Sequence, residues 1–279
     1  MLPNFLVCGI QKGGTTSLYH YLRSQRDVFM PGVKEINFFT INYERGRTWY
    51  ENHFAAWRGE KAIGEASPLY MWHPEVPERM ASLIPGARLI FVLRNPIERA
   101  YSNYWFNVSR GAQNPRHSFS EAIRTEDGHR RYITKGFYYE QIVRFLGYFD
   151  RNQLHIIITE DLKRNPSHEV GLCLQFLGVD ADYTADPRGF HNVTVVPHGS
   201  VSRGLYALWI PVKDLVRPWA PKTMRTLTRG IRNTIHGCFF SPRKPPPMKR
   251  EDRNYLRAAC CRQTELLAGF LGRDLHEWK

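Results

Sequence analysis

An apolar strand that runs into a glycine loop and out into a helix constrains this chain more than any other feature. Phe5-Leu6-Val7-Cys8 reads as a buried strand, Gly9-Ile10-Gln11-Lys12-Gly13-Gly14 as a tight turn, and Thr15-Thr16-Ser17 as the opening of a helix continued by Leu18, Tyr19, Tyr21 and Leu22. Such a junction gathers backbone N–H groups that no helical carbonyl takes up, and the helix dipole adds partial positive charge, so it suits an anion. A nucleoside-triphosphate loop would need lysine after the last glycine and before the magnesium-binding hydroxyl. Here Lys12 precedes Gly13 and Gly14. The loop can still wrap one phosphate-like group, with Lys12 aimed at whatever is attached to it. A tight turn that binds nothing is the competing reading.

A second apolar run, Ala87-Arg88-Leu89-Ile90-Phe91-Val92-Leu93, lies between Pro85-Gly86 and Asn95-Pro96, and Arg94 follows it. Proline suits the first turn of a helix, which places Ser102 further along that helix. If the two strands are parallel neighbours, Arg94 lies beside the glycine loop, at the sheet edge where open α/β folds bind ligands. An arginine there and a hydroxyl on the next helix could clamp a second phosphate. Taken singly, Arg94 reads as an ordinary ion-pair partner and Ser102 as a surface serine.

Three further segments follow the same order: Lys34-Glu35-Ile36-Asn37-Phe38-Phe39, Gly64-Glu65-Ala66-Ser67-Pro68-Leu69-Tyr70 and Gly136-Phe137-Tyr138-Tyr139-Glu140-Gln141. Together with the two loops they resemble the sulfotransferase family, in its bacterial and heparan-sulfate-sulfotransferase-like branch, over roughly residues 4 to 180. The resemblance implies 3'-phosphoadenosine 5'-phosphosulfate as sulfuryl donor and adenosine 3',5'-bisphosphate as product. It implies that Lys12, Gly13, Gly14, Thr15, Thr16 and Ser17 form a P-loop-like phosphosulfate-binding loop. Arg94 and Ser102 would take the 3'-phosphate, and Glu35 would be the catalytic base. Related enzymes close the 3'-phosphate site with a basic loop after the sheet, and Arg203 is the matching candidate. The chain departs from the resemblance at Ala66, where glycosaminoglycan sulfotransferases of this branch often carry lysine.

Sulfuryl transfer to a hydroxyl is an in-line displacement governed by positioning and charge stabilisation. Glu35 is the carboxylate available to take the acceptor proton, and Lys12 the cation for the leaving phosphate. The scheme needs no metal, which separates it from a nucleotide-dependent phosphotransferase. A non-catalytic, basic nucleotide- or RNA-binding protein is the third reading, suggested by the net charge of +13. It leaves the Lys34-Glu35 segment unexplained and has no recognisable RNA-binding motif, so the partner expected is a hydroxyl-bearing glycan, lipid or natural product, and no nucleic acid.

Strands at about 4–9, 61–65, 87–93 and 154–159 alternate with helices at about 15–24, 75–83, 96–109, 137–149, 167–177 and 250–271. Near-continuous apolar strands separated by helices predict an α/β fold, with one mostly parallel central sheet flanked by helices in a single domain over 1–279. The five cysteines, Cys8, Cys173, Cys238, Cys260 and Cys261, lack disulfide or metal-ligand spacing. With no signal-peptide pattern and no apolar run of bilayer length, a reduced, cytoplasmic setting is expected.

From Arg203 to Arg250, eleven cations face Asp214 alone, so +10 of the chain's +13 lies in one stretch. Leu205, Leu208, Trp209, Ile210, Val212, Leu215, Val216 and Trp219 interleave with these charges. The expectation for 200–250 is a basic lid over the site. A peripheral membrane contact and a plain solvated face are the alternatives.

Overall fold

In the computed structural model, residues 1–180, 196–197, 240–241 and 245–278 are described. In chain order the elements are β1 (Phe5–Gly9), α1 (Thr15–Arg23), β2 (Val28–Phe29), α2 (Gly46–Glu51), β3 (Ala62–Ala66), α3 (Val76–Leu83), β4 (Arg88–Leu93) and α4 (Pro96–Arg110). There follow α5 (Phe119–Ala122), α6 (Glu126–Gly128), α7 (Tyr138–Leu146), β5 (Leu154–Ile158), α8 (Thr159–Arg164), α9 (Pro166–Leu177), β6 (Val196–Pro197), β7 (Phe240–Ser241) and α10 (Arg250–Leu271). They fall into two compact units: Met1–Arg99 with Lys135–Asn192 and Cys260–Lys279, and Ala100–Thr134 with Val193–Ala259.

The first unit is built on a five-stranded sheet of order β2-β3-β1-β4-β5, parallel at every pairing. Successive side chains of a strand point to opposite faces, and both faces here are apolar. Leu6, Cys8, Leu89, Phe91 and Leu93 face a cluster with Phe38, Tyr50, Met80, Ile142 and Phe145. Phe5, Val7, Ile90 and Val92 face the other, with Leu18 and Leu22 of α1 and Val170, Cys173 and Leu174 of α9. Each fully buried Val, Leu, Ile or Phe contributes about 1.5–3 kcal/mol, so the covered faces fix the register and the central strands read as unbroken apolar runs. The chain leaves β1 for one side of the sheet and returns through β4 on the other. The carboxyl ends of β1 and β4 therefore flank the point where strand order reverses, the usual ligand crevice of such sheets.

In the second unit, Ser118 and Glu121 form a reciprocal capping box at the start of α5. The buried Asp252 of α10 is paired with Arg124 at 2.8 Å and accepts a hydrogen bond from Ser120 at 2.6 Å. Tyr104, Phe119 and Tyr132 pack edge to face, and β6 pairs antiparallel with β7.

The expected boundaries that move do so mostly by a single residue, and two of the shifts have a visible cause. The strand expected to run to 159 stops at Ile158, because the Thr159 hydroxyl is held by carbonyls of neighbouring backbone and the chain turns into α8 there. The helix expected over 137–149 spans Tyr138–Leu146, with Gly147 at its C-cap. Cys8, Cys173 and Cys260 are buried free thiols, Cys261 is half-buried and also free, and Cys238 lies outside the described residues. The expected loop over 180–200 and the lid over 200–250, Arg203 included, lie almost wholly outside the described residues.

Candidate active site

The loop between β1 and α1 is pinned by backbone. Ile10 N–H donates to Val92 O at 2.8 Å and Gly13 N–H to Ile10 O at 2.8 Å. A Cβ on Gly13 would lie 2.5 Å from Val92 O and 2.8 Å from Ile10 O, so only glycine lets the loop lie on β4. Gly14 takes a φ of 96° as the N-cap of α1, a conformation that glycine adopts without strain. Lys12 sits at a φ of 70°, which costs a non-glycine residue about 1–2 kcal/mol. Helix α1 has no side-chain cap and no acid in its first turn. Neither a capping side chain nor a first-turn acid competes with an anion for the positive end of the helix dipole.

Arg94 follows β4 directly, and its Nη1 donates to Lys12 O at 3.3 Å, tying the two strand ends together. Its own carbonyl accepts from the Tyr138 hydroxyl at 2.8 Å. Asn95 caps α4 by accepting from Ile97 N–H at 3.0 Å and Glu98 N–H at 3.3 Å. Thr159 emerges one residue beyond the Leu93–Ile158 pair of β4 and β5. Its hydroxyl lies against Gly13 O and, at 2.7 Å, Leu93 O, locking the glycine loop to the strand end.

The Lys34-Glu35 segment arrives at the same edge. Lys34 Nζ is 3.3 Å from Thr16 Oγ1 and 3.6 Å from Glu35 Oε1. Its side chain is only 14% exposed against 34% for Glu35. Burial pulls the Lys34 ammonium below its ordinary value, while Glu35 and Glu65 pull it back up.

Beneath this segment lies a second carboxyl. Glu65 of β3, 1% exposed, accepts from Ser67 Oγ at 2.7 Å, Tyr50 OH at 3.1 Å and Tyr70 OH. Burial pushes its carboxyl up to about 7 against the pull of the three hydroxyls, and the charge of Glu35 adds to the rise. Burial and the Glu65 charge in turn raise both tyrosines well above their ordinary value, so they remain donors.

The structure thus gathers Lys12, Gly13, Gly14, Thr15, Thr16, Ser17, Glu35 and Arg94 at one sheet edge. Ser102 belongs to the second unit, where it is buried on α4. Sequence reasoning passed over Lys34, Thr159 and Glu65 as participants. Lys34 adjoins the chosen glutamate, and Thr159 ends an apolar run as Arg94 does; both were visible signals. Among the described residues no cluster of three or more His, Cys, Asp or Glu side chains is placed to hold a metal ion, and no helix is long and apolar enough to cross a membrane.

The family model for the sulfotransferase domain matches residues 2–189. The chain belongs to the sulfotransferase family. It is 36% identical over 217 residues to the bifunctional heparan sulfate N-deacetylase/N-sulfotransferase 4 of Mus musculus, covering 68% of this chain and 24% of that protein. It is 31% identical over 195 residues to the heparan sulfate glucosamine 3-O-sulfotransferase 6 of Homo sapiens, covering 69% of this chain and 56% of that protein. The chain thus spans less than two thirds of either curated relative. Among solved structures, a sulfotransferase from Alicyclobacillus acidocaldarius superposes with a TM-score of 0.74 at 26% identity, over 100% of this chain and 99% of that one. Its fold is that of the solved sulfotransferase.

Proposed function

We propose that this sulfotransferase moves a sulfuryl group from 3'-phosphoadenosine 5'-phosphosulfate to a hydroxyl-bearing acceptor, a glycan, lipid or natural product. The relatives named for heparan sulfate favour the glycan. The observation that carries the reading is Lys34 Nζ between Thr16 Oγ1 of the anion cradle and the Glu35 carboxylate. A carboxylate held beside an anion cradle is the pair that hydroxyl attack on a bound sulfuryl group requires.

The donor supplies an activated sulfuryl group on a phosphate leaving group. Lys12 and the amides of Gly13 to Ser17 meet the negative charge left on the bridging oxygen as its bond to sulfur breaks. Glu35 takes the proton as the acceptor oxygen bonds to sulfur. Lys34 faces the group in transfer and restrains Glu35. Arg94, with Ser102 and Arg203 as its expected companions, recognises the 3'-phosphate. The positive charge comes from side chains and the helix N-terminus, so turnover should survive a metal chelator.

Titration calorimetry tests the donor assignment. Native protein should bind adenosine 3',5'-bisphosphate at least about tenfold more tightly than adenosine 5'-phosphate, and Arg94→Ala should lose roughly ten- to a hundredfold in affinity together with that discrimination. Equal binding of the two nucleotides by native protein would overturn it, as would an activity that chelator abolishes and magnesium restores.

A further inference from the structure

We propose that Glu65 is the positioning residue of this site, acting through Ser67 and Tyr70 to hold the backbone that carries Glu35. The inference rests on Glu35 as the base, and it concerns hydrogen bonds that run in one direction. Asn37 N–H donates to Ser67 Oγ at 2.9 Å, and Ser67 donates onward to Glu65 Oε2 at 2.7 Å. Phe38 N–H donates to Tyr70 OH at 2.8 Å, and Tyr70 donates onward to Glu65 Oε1. Each hydroxyl has one proton. A carboxylate takes that proton from both, which leaves the oxygen lone pairs aimed at the two amides. Without the carboxylate, either hydroxyl can swing its proton toward the amide and lose the bond. Glu65 thereby dictates where residues 37 and 38 stand, and with them the Glu35 side chain just upstream.

The segment needs such an anchor. Asn37 takes a positive φ of 53°, and 30–42 contains neither helix nor strand, so no ladder fixes it. The groups facing Glu65 are the hydroxyls of Tyr50, Ser67 and Tyr70, the Cys8 thiol of β1, and the charges of Lys34 and Glu35.

Tyr50 is an internal control. Its hydroxyl donates to the same Glu65 oxygen at 3.1 Å, and its ring stacks on Phe38 with centroids 4.2 Å apart. Its hydroxyl receives no backbone amide of the 36–39 segment. Tyr50→Phe and Tyr70→Phe each remove one buried hydroxyl from Glu65, but only the second breaks a link to that segment.

The test is amide hydrogen exchange over 36–39, with kcat and the affinity for adenosine 3',5'-bisphosphate, in native protein, Tyr70→Phe, Ser67→Ala and Tyr50→Phe. Tyr70→Phe should lose protection at Phe38 and Ser67→Ala at Asn37, each by tenfold or more. Both should lose about tenfold in kcat with nucleotide affinity unchanged. Tyr50→Phe should change each by less than about twofold even if its melting temperature falls as far. Equal losses in all three variants, or unchanged protection in Tyr70→Phe and Ser67→Ala, would overturn the proposal. Exchange does not depend on chemistry. Lost protection beside a fully active Glu35→Gln would therefore sink the base assignment and leave the anchor standing.

Discussion

The two halves of the site are held by different means. The donor loop is backbone against backbone: Gly13 lies on Val92 O, and Ile10 N–H bonds to that same carbonyl. The Glu35 segment is held through side-chain hydroxyls gathered on one buried carboxyl. A loop packed on backbone tolerates almost no change in shape, because a strand carbonyl has nowhere to go. A hydroxyl network keeps its shape only while every donor points the right way. The first suits a group bound the same way in every turnover, and the second a carboxylate that must be aimed at an acceptor.

The contrast breaks most visibly at the donor loop. Gly13→Ala puts a methyl group 2.5 Å from Val92 O, and overpacking of this kind costs about 1–3 kcal/mol or more. The melting temperature should drop, and binding of adenosine 3',5'-bisphosphate should fall by more than about tenfold even where the protein stays folded. A stable Gly13→Ala protein with native nucleotide affinity would show that the loop is not held by this contact.

A subtler effect sharpens the other half. Burial lifts the Glu65 carboxyl from the ordinary 4.5 to about 7, so the folded chain binds this proton more tightly than the unfolded one. The stability it contributes is fully present below the unfolded value and is lost as pH rises through the folded one. At 1.36 kcal/mol per unit the difference is about 3 kcal/mol. Glu65→Gln removes this titration and leaves the others in place. Melting curves of the two proteins should therefore converge or cross as pH goes from about 4.5 to about 7.5, with native protein losing ground. Parallel curves would mean that Glu65 is not held as described.

The same contrast explains what the sequence disclosed. The strand, glycine loop and helix at 5–22 and the strand ending before Arg94 are local patterns, set by apolar runs and by backbone geometry that only glycine reaches, so their elements and shared edge were readable. Alternation with helices implied a parallel, helix-covered sheet; its order β2-β3-β1-β4-β5 and the short strand β2 came from the structure. The Glu65 network was not readable, because the local Glu65-Ser67-Tyr70 cluster gains its purpose only when folding brings the Tyr50 hydroxyl and the amides of Asn37 and Phe38 to it. The place of Thr159 at the end of an apolar run is legible, but the turn into α8 is not, because the Gly13 and Leu93 carbonyls that hold its hydroxyl reach it only after folding. The family resemblance supplied Glu35, and the structure added Lys34 as its link to the loop.

The central claim is that the donor cradle and the Glu35 carboxylate form one site with separate tasks. Turnover and product-nucleotide affinity measured together on Glu35→Gln test it most directly, since the amide keeps the shape and loses the basicity. Turnover should fall by about 10²–10⁴, while affinity for adenosine 3',5'-bisphosphate stays within about twofold of native. Near-native turnover, or a loss of nucleotide affinity as large as the loss of turnover, would contradict the account.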